Sequence, residues 1–103
     1  MGSAIRRGTT PTNTFTTDID LTTVKVLYVT YKQDCNTVIE KQKKDVEITP
    51  ESIIVHLSQA ETLRFKQDKP VEVQIRAKFY DGNAVASNII KTSVQRILKD
   101  GEI

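Results

Sequence analysis

The sequence predicts an all-β fold, an antiparallel β-sandwich of about seven strands with one short helix. The 103 residues include 34 Val, Ile and Thr residues but only 10 Leu and Ala residues, and β-branched side chains pack well on a pleated surface. Alternating polar and apolar runs recur between turn signals at a spacing of about 8 to 12 residues, which is typical of a sandwich. A chain of this length forms one domain whose core needs no disulfide.

The first predicted strand follows a polar N-terminal segment. Pro11 has no N–H to donate to a neighbouring strand, so we expect residues 1–11 to form a flexible arm and Thr12–Thr17 to form the first strand. Asp18 and Asp20 lie in the following loop, where their carboxylates can accept hydrogen bonds from nearby backbone N–H groups.

The middle of the chain predicts a hairpin and two short strands. Val24–Lys32 carries bulky side chains on both alternating faces, which is typical of a strand in the middle of a sheet. A polar turn at residues 33–36 leads to Thr37–Lys41 as the returning arm of a hairpin. Val46–Ile48 and Ile53–Leu57 then form two shorter strands on either side of a proline-containing turn.

One segment breaks the period of two and predicts a helix. Ser58 and Glu61 have the spacing of a capping box, in which the serine oxygen accepts a hydrogen bond from the glutamate N–H and the glutamate side chain reaches back. We therefore expect about two helical turns over Gln59–Phe65, with Leu63 facing the core and Ala60 or Phe65 beside it.

The clearest alternation lies in the C-terminal third of the chain. Val71–Tyr80 places apolar residues at every second position, which predicts a strand with one buried face. Asp81-Gly82 follows it as a tight turn that needs a positive φ. After a short irregular stretch, Ile89–Ile97 is predicted as the last strand. The sandwich domain is thus expected to span residues 12–98, with residues 99–103 as a tail.

The charge balance excludes some classes of partner. The chain has 15 basic and 13 acidic residues, a net charge of +2, which is too small to predict a nucleic acid or an anionic membrane as partner. No apolar run approaches the roughly 18 residues that span a bilayer, and no apolar segment follows the N-terminal arginines, so we expect no membrane partner and no signal peptide.

Candidate catalytic and metal-binding residues are few. His56 is the only histidine, and its neighbours in the sequence offer neither a nucleophile nor an orienting group, so we expect a histidine on a strand face. Cys35 is the only cysteine and lies in a predicted turn, and the two residues together fall short of a zinc site. Asp18 and Asp20 could donate oxygens to calcium, but capping of the backbone accounts for them without it. The sequence therefore predicts no enzyme, no metal and no other cofactor.

Candidate partner-binding residues come from three features. An arm with arginine donors can become ordered on a partner surface, and an exposed sheet edge can pair with another strand, for which Thr12–Thr17 and Val46–Ile48 are candidates. Aromatic side chains that face outward add contact area. The residues predicted to bind a partner are Arg6, Arg7, Thr12, Thr14, Tyr31 and Tyr80.

Several short motifs together resemble a known family. They are Asp20-Leu21-Thr22 before a long strand, Ile53–Thr62 entering a short helix, Val71–Tyr80, the turn Asp81-Gly82-Asn83, and Ser87-Asn88-Ile89 at the start of the last strand. This set resembles the amino-terminal domain of baseplate upper proteins of tailed phages that infect Gram-positive bacteria, and more loosely small prophage proteins of gut Firmicutes.

The resemblance covers roughly residues 12–97 and specifies a fold better than an activity. It implies an immunoglobulin-like sandwich that serves as an assembly module of the tail or baseplate, without catalytic residues to carry over. The sequence ends at Ile103, without the helical linker and receptor-binding parts of longer members, so we expect an accessory or adaptor protein of the virion, made in the bacterial cytoplasm. Its expected partners are other phage tail or baseplate proteins, or a second copy.

Two other functions are compatible with the sequence. A sandwich that binds cell-wall or host glycans, or another cell-surface ligand, would present a concave patch around Tyr31 and Tyr80, although the chain has no tryptophan. A small enzyme would have to use His56.

Overall fold

The computed structural model describes residues 4–103, whose strands form two facing sheets and a separate pair of two short strands. The pairings are antiparallel apart from one short parallel pair, so the fold is the immunoglobulin-like β-sandwich that the sequence predicts. The described residues form more than about seven strands because the N-terminal segment adds one, the stretch after the Asp-Gly turn adds another, and the last predicted strand is divided in two. The elements are β1 (Ile5–Arg6), β2 (Thr12–Thr16), β3 (Val24–Gln33), β4 (Asn36–Gln42), β5 (Glu47–Ile48), β6 (Ser52–His56), α1 (Gln59–Thr62), β7 (Val71–Phe79), β8 (Ala84–Ala86), β9 (Ile90–Thr92) and β10 (Val94–Gln95), with 3₁₀ turns at Leu21–Thr23 and Lys43–Asp45.

The larger sheet has the order β4-β3-β7, and β8 and β9 both pair with the far side of β7. β3 lies inside the sheet, as its sequence predicts. Between β8 and β9 the Ser87 N–H donates to the Ile75 carbonyl over 2.8 Å, and the Ser87 hydroxyl accepts from the Ile75 N–H over 3.0 Å. β8 and β9 therefore act as one interrupted edge strand, entered through a turn in which Gly82 has φ +92°.

The prediction of a single last strand over Ile89–Ile97 is wrong. β9 pairs antiparallel with β7, whereas β10 pairs in parallel with β1. The chain changes partners at Ser93, whose carbonyl accepts a hydrogen bond from the Ile5 N–H over 2.8 Å. Because the competing partner comes from the other end of the chain, alternation within the segment gives no sign of the change.

The prediction of a flexible arm over residues 1–11 is also wrong for the described part of that segment; the first three residues lie outside it. Ile5 is buried and pairs with Val94. Further along, the Thr62 hydroxyl donates to the Thr9 carbonyl over 2.8 Å. Pro11 interrupts pairing only locally, because the chain before it finds a strand partner of its own.

The smaller sheet has three strands in the order β2-β6-β5. β2 pairs with β6 along its whole length, from Thr12 opposite His56 to Thr16 opposite Ser52. The two segments predicted as sheet edges, β2 and β5, are the edges of this sheet. β2 is preceded by Pro11 and followed by the 3₁₀ turn that Asp20 caps through the Thr22 N–H at 2.9 Å.

The helix is capped as predicted but is shorter. The Ser58 hydroxyl accepts from the Glu61 N–H at 3.2 Å, and the Glu61 carboxylate accepts from the Ser58 N–H at 2.9 Å. α1 ends at Thr62 because the following bonds tighten: the Arg64 N–H donates to the Glu61 carbonyl and the Phe65 N–H to the Thr62 carbonyl. This tighter path buries Thr62 and Phe65.

The core lies between the sheets and extends under α1. Phe65 packs against Tyr31 with ring centroids 6.1 Å apart. Leu63, predicted to face the core, is only half-buried. The buried apolar residues are Ile5, Leu21, Val24, Leu27, Val29, Tyr31, Ile39, Ile53, Val55, Leu57, Phe65, Val71, Val73, Ala77, Phe79 and Val94.

Candidate docking cleft

The smaller sheet does not cover the whole inner face of the larger one. Ile39 on β4 is 4% exposed, whereas Val85 on β8 and Ile90 on β9 are 37% and 39% exposed. Val85 lies opposite Ala77 and Ile90 opposite Val73 on β7. Since Ala77 and Val73 belong to the buried inner face, Val85 and Ile90 point to the same side, but no strand within residues 4–103 lies above them.

An apolar cleft of about 500 Å³ opens where this cover is missing. It lies between β2 and the β8–β9 edge, and its floor is the inner face of β3 and β7. No charged side chain lines it among the described residues. The apolar side chains along it include Phe15, Ile19, Ile75, Val85 and Ile90.

The backbone of β2 faces the cleft side with unpaired groups. The Leu57 N–H donates to the Pro11 carbonyl at 3.1 Å, and the Thr17 N–H donates to the Glu51 carbonyl at 2.9 Å. Backbone groups alternate in direction along an antiparallel strand, so every second residue from Pro11 to Thr17 faces β6 and the residues between them face away. The residues facing away are Thr12, Thr14 and Thr16.

Tyr31 lies at the inner end of the cleft and is a buried residue. The prediction that Tyr31 faces outward is wrong, because its side chain lies on the inner face of β3 and is fully buried. Its hydroxyl donates to the Asn13 side-chain oxygen on β2 at 2.8 Å. Burial, with a further contribution from the Glu61 carboxylate, raises the pKa of this hydroxyl well above its ordinary value. Tyr31 is thus a neutral hydrogen-bond donor that ties β2 to β3.

The opposite side of the sandwich is closed by charged groups. Lys41 on β4 and Glu61 on α1 form an ion pair of 2.6 Å, and both side chains are largely buried. Lys43 donates to the Val24 carbonyl at 2.8 Å. The inner face of the larger sheet is therefore covered at β4, by α1 and by the 3₁₀ turn at Lys43–Asp45, whereas it is uncovered at β8 and β9.

This ion pair predicts a pH dependence of stability. Burial opposes ionisation of Glu61, but hydrogen bonds from Lys41 and Ser58 outweigh it and hold the carboxyl pKa below its ordinary value of 4.5. A lowered pKa in the folded state contributes stability above pH 4.5, which is lost as the pH falls through the folded value. Urea unfolding of the protein and of Glu61→Gln should differ most near pH 7 and converge in acid. A difference that stays constant from pH 7 to pH 3 would contradict this assignment.

Both arginines of the predicted arm donate hydrogen bonds within the domain. Arg7 Nε donates to the Phe65 carbonyl at 2.8 Å, and its Nη2 donates to the Leu63 carbonyl at 3.1 Å. Arg6 is exposed and donates to the Arg96 carbonyl. The prediction that both guanidinium groups are free for a partner is therefore wrong for Arg7, which satisfies carbonyls at the end of the helical segment.

Removing the Arg7 side chain should destabilise the fold much more than removing that of Arg6. Charge-assisted hydrogen bonds from a side chain that is only 19% exposed are worth about 1.5–3 kcal/mol, so we expect a loss of that size for Arg7→Ala. Arg6→Ala is the matched control, and we expect a loss below about 1 kcal/mol for it because its donors are exposed. Urea denaturation of both variants measures the difference, and equal losses would refute the anchoring role of Arg7.

Of the two tyrosines predicted to face outward, only Tyr80 is exposed. Its ring is 69% exposed and lies 5.9 Å from Lys43 Nζ. It follows β7, whereas Tyr31 is buried between the sheets. The two tyrosines therefore do not form the shared concave patch that a glycan site required.

His56 has partners that the sequence around it does not reveal. Its Nδ1 lies 3.0 Å from the Thr12 hydroxyl, and its Nε2 lies 2.8 Å from a Glu47 carboxylate oxygen. The three residues come from β2, β6 and β5 and form an exposed row across the outer face of the smaller sheet. Such a row links three strands and is open to water on its outer side.

Cys35 and the acidic loop residues have local roles. Cys35 is exposed and has φ +65° in the β3–β4 turn. Asp20 caps its own 3₁₀ turn, and the hydrogen bonds from Thr22 lower the pKa of its carboxyl. Within residues 4–103, no group of three or more His, Cys, Asp or Glu side chains has the arrangement of a metal site. No helix in the same part of the chain is long and apolar enough to cross a membrane.

Comparison with known proteins gives a structural neighbour only. No family model matches the sequence, and no curated protein matches it. Among solved structures, the chain is similar to the V domain of amphioxus IgVJ-C2, with 9% sequence identity and a TM-score of 0.37. The match covers 90% of this chain and 99% of that one. The fold assignment given above stands on the sheet order and register of this chain.

The cleft itself was not foreseen from the sequence. Thr12 and Thr14, predicted as partner-binding residues of an edge strand, lie on its rim. Val85 and Ile90 were not singled out. Each is an apolar residue on one side of the interruption between β8 and β9. Only the number of strands in the opposite sheet shows that these two side chains are uncovered.

Proposed function

We propose that the protein is a non-enzymatic assembly module, held by a partner protein at the docking cleft between β2 and β8–β9. The uncovered inner face of the larger sheet carries this proposal. Exposed apolar surface that continues into the core marks an interaction site in soluble proteins, and Val85 and Ile90 line this surface.

The proposal extends to the setting of the module. The resemblance of residues 12–97 to the amino-terminal domain of baseplate upper proteins supports a place in the tail or baseplate of a phage or prophage. The partner would then be another tail or baseplate protein, and the module would act in the virion. A sandwich with one sealed side and one open side suits such a role, because it can be fixed to a neighbour in one orientation.

The test is co-expression with the tail and baseplate proteins encoded beside it. We expect the protein to co-purify with at least one of them, and Val85→Asp, which places a charge in the apolar cleft, to weaken that complex at least tenfold. Ala84→Asp is the matched control, because it adds the same charge one residue earlier in β8, on the opposite face. A strictly monomeric protein that binds none of these proteins, or equal losses for both variants, would overturn the proposal.

A further inference from the structure

The two layers of the sandwich differ in their number of strands. The smaller sheet offers β5, β6 and β2, whereas the larger sheet offers β4, β3, β7 and the interrupted β8–β9 strand. Ile39 at the β4 end is covered, and Val85 and Ile90 at the other end are not. The vacant position is therefore the one beside β2, above β8 and β9, and it has the width of one strand.

The free edge of β2 lies beside that vacant position. The N–H and C=O groups of Thr12, Thr14 and Thr16 point toward that vacant position, because the alternate residues face β6. Exposed edges are usually protected by charged side chains or bulges. The β4 edge carries Glu40 and Lys41, but β2 has neither a charge nor a bulge. Its five residues offer about 17 Å of regular edge for pairing.

The lining of the cleft limits the chemistry of an occupant. No charged side chain of the described residues lines the cleft, so a charge placed there would be desolvated without a partner. A strand beside β2 would direct every second side chain onto Ile75, Val85 and Ile90. Those side chains must be uncharged and mostly apolar, while the alternate ones face water.

The number of strands in the two sheets also distinguishes the edge of a second folded sheet from a free strand as the occupant. If two copies paired their β2 strands antiparallel about a two-fold axis, six strands of the joined small sheets would face eight positions of the two larger sheets. Each β8–β9 edge would then occupy the space of its symmetry mate. The cleft thus favours a single strand that has no sheet of its own packed behind it.

We propose that the docking cleft binds one extended, uncharged segment of a partner protein, which pairs with β2 as a fourth strand of the smaller sheet. This inference rests on the proposed function and specifies the partner's contribution to it. Main-chain hydrogen bonds to the three threonines would give affinity, and the apolar side chains over the cleft would give specificity.

A tethered probe tests the inference directly. A seven-residue segment in which Thr and Val alternate is fused to the C-terminus through a Gly/Ser linker of about 20 residues, which reaches about 25 Å on average and gives an effective concentration near millimolar. The control fusion contains the same residues with the valines consecutive. We expect the alternating segment to slow amide hydrogen exchange at Thr12, Thr14 and Thr16 at least tenfold and to raise the unfolding midpoint, and the control to do neither.

A substitution on the edge of β2 distinguishes strand addition from other ways in which a partner could bind the cleft. Thr14→Pro removes a backbone N–H that faces away from β6, a position where an edge strand accepts proline, so the domain should still fold. It should weaken binding of the probe at least tenfold, whereas Thr14→Val should not.

The two proposals fail in different ways. Partner binding that is lost in Val85→Asp but kept in Thr14→Pro, with no protection by the probe, would overturn strand addition and leave the assembly function standing. A dimer of the unfused protein in which the three threonine amides are protected would overturn the partner segment in favour of a second copy.

Discussion

Replacing Phe65 by alanine is expected to destabilise the protein by about 3–5 kcal/mol. Phe65 is among the largest fully enclosed side chains and contacts Tyr31 in the core under α1. Its backbone carbonyl also accepts from Arg7, so a cavity at this point borders the contacts that hold the N-terminal segment. A loss of this size is a large fraction of the stability of a small domain, and the thermal midpoint should fall by more than about 10 °C.

Phe15→Ala is the matched control for Phe65→Ala. Phe15 has the same side chain, but it lies on the rim of the docking cleft and is only partly buried. We expect it to cost less than half as much stability and yet to weaken partner binding more than any tolerated core substitution. Similar unfolding midpoints for the two variants would show that the cleft side is as tightly packed as the core.

Replacing Gln33 by leucine is expected to cost about 2–4 kcal/mol, because it removes a buried amide that satisfies three backbone groups. Gln33 Nε2 donates to the carbonyls of Lys66 and Lys69 at 2.8 and 3.2 Å, and its Oε1 accepts from the Lys66 N–H at 2.7 Å. Leucine fits the space but leaves these groups unpaired in a region where the glutamine is 3% exposed.

Gln67→Leu provides the comparison for Gln33→Leu, because Gln67 lies in the loop to which Gln33 is hydrogen-bonded. Gln67 is exposed, so the same substitution should change stability by less than about 0.5 kcal/mol. Hydrogen exchange of the Lys66 amide should accelerate only in the Gln33 variant. A small loss for Gln33→Leu together with an unchanged Lys66 amide would show that water replaces the glutamine without cost.

Local patterns predicted most of the strands and the capping of the helix. Val71–Phe79 follows alternation that is intrinsic to the segment, and Val24–Gln33 carries bulky side chains on both faces, as a strand inside a sheet does. The capping box of Ser58 and Glu61 depends on residues three apart. Such features are decided by neighbours in the chain, so the sequence is sufficient to find them.

The features that sequence reasoning missed depend on distant partners. Ile5 pairs with Val94 across 89 positions, and no local signal reports such a pairing. Tyr31 has an aromatic ring with a hydroxyl, which fits either face of a strand, and its burial depends on Asn13 in the other sheet. The docking cleft depends on a difference in strand number between two sheets, a property of the whole fold.

The glycan and enzyme alternatives differ in what they now require. Glycan binding would have to rely on Tyr80 without Tyr31, since the latter is buried. An enzyme would have to use the exposed row of Thr12, His56 and Glu47, which borders open solvent on the outer face. The cleft, by contrast, combines apolar surface with unpaired backbone groups, and for that reason we place function there.

The parallel pair of β1 and β10 gives the domain a mechanical property. Because the two strands run in the same direction, tension between the chain before Ile5 and the chain after Gln95 pulls them past each other along their axes. The hydrogen bonds from the Ile5 N–H to the Ser93 carbonyl and from the Arg7 N–H to the Gln95 carbonyl run across the direction of this force and bear it together. A module joined to its neighbours through both ends of its chain would therefore be loaded in shear, which strains these bonds simultaneously instead of opening them one after another.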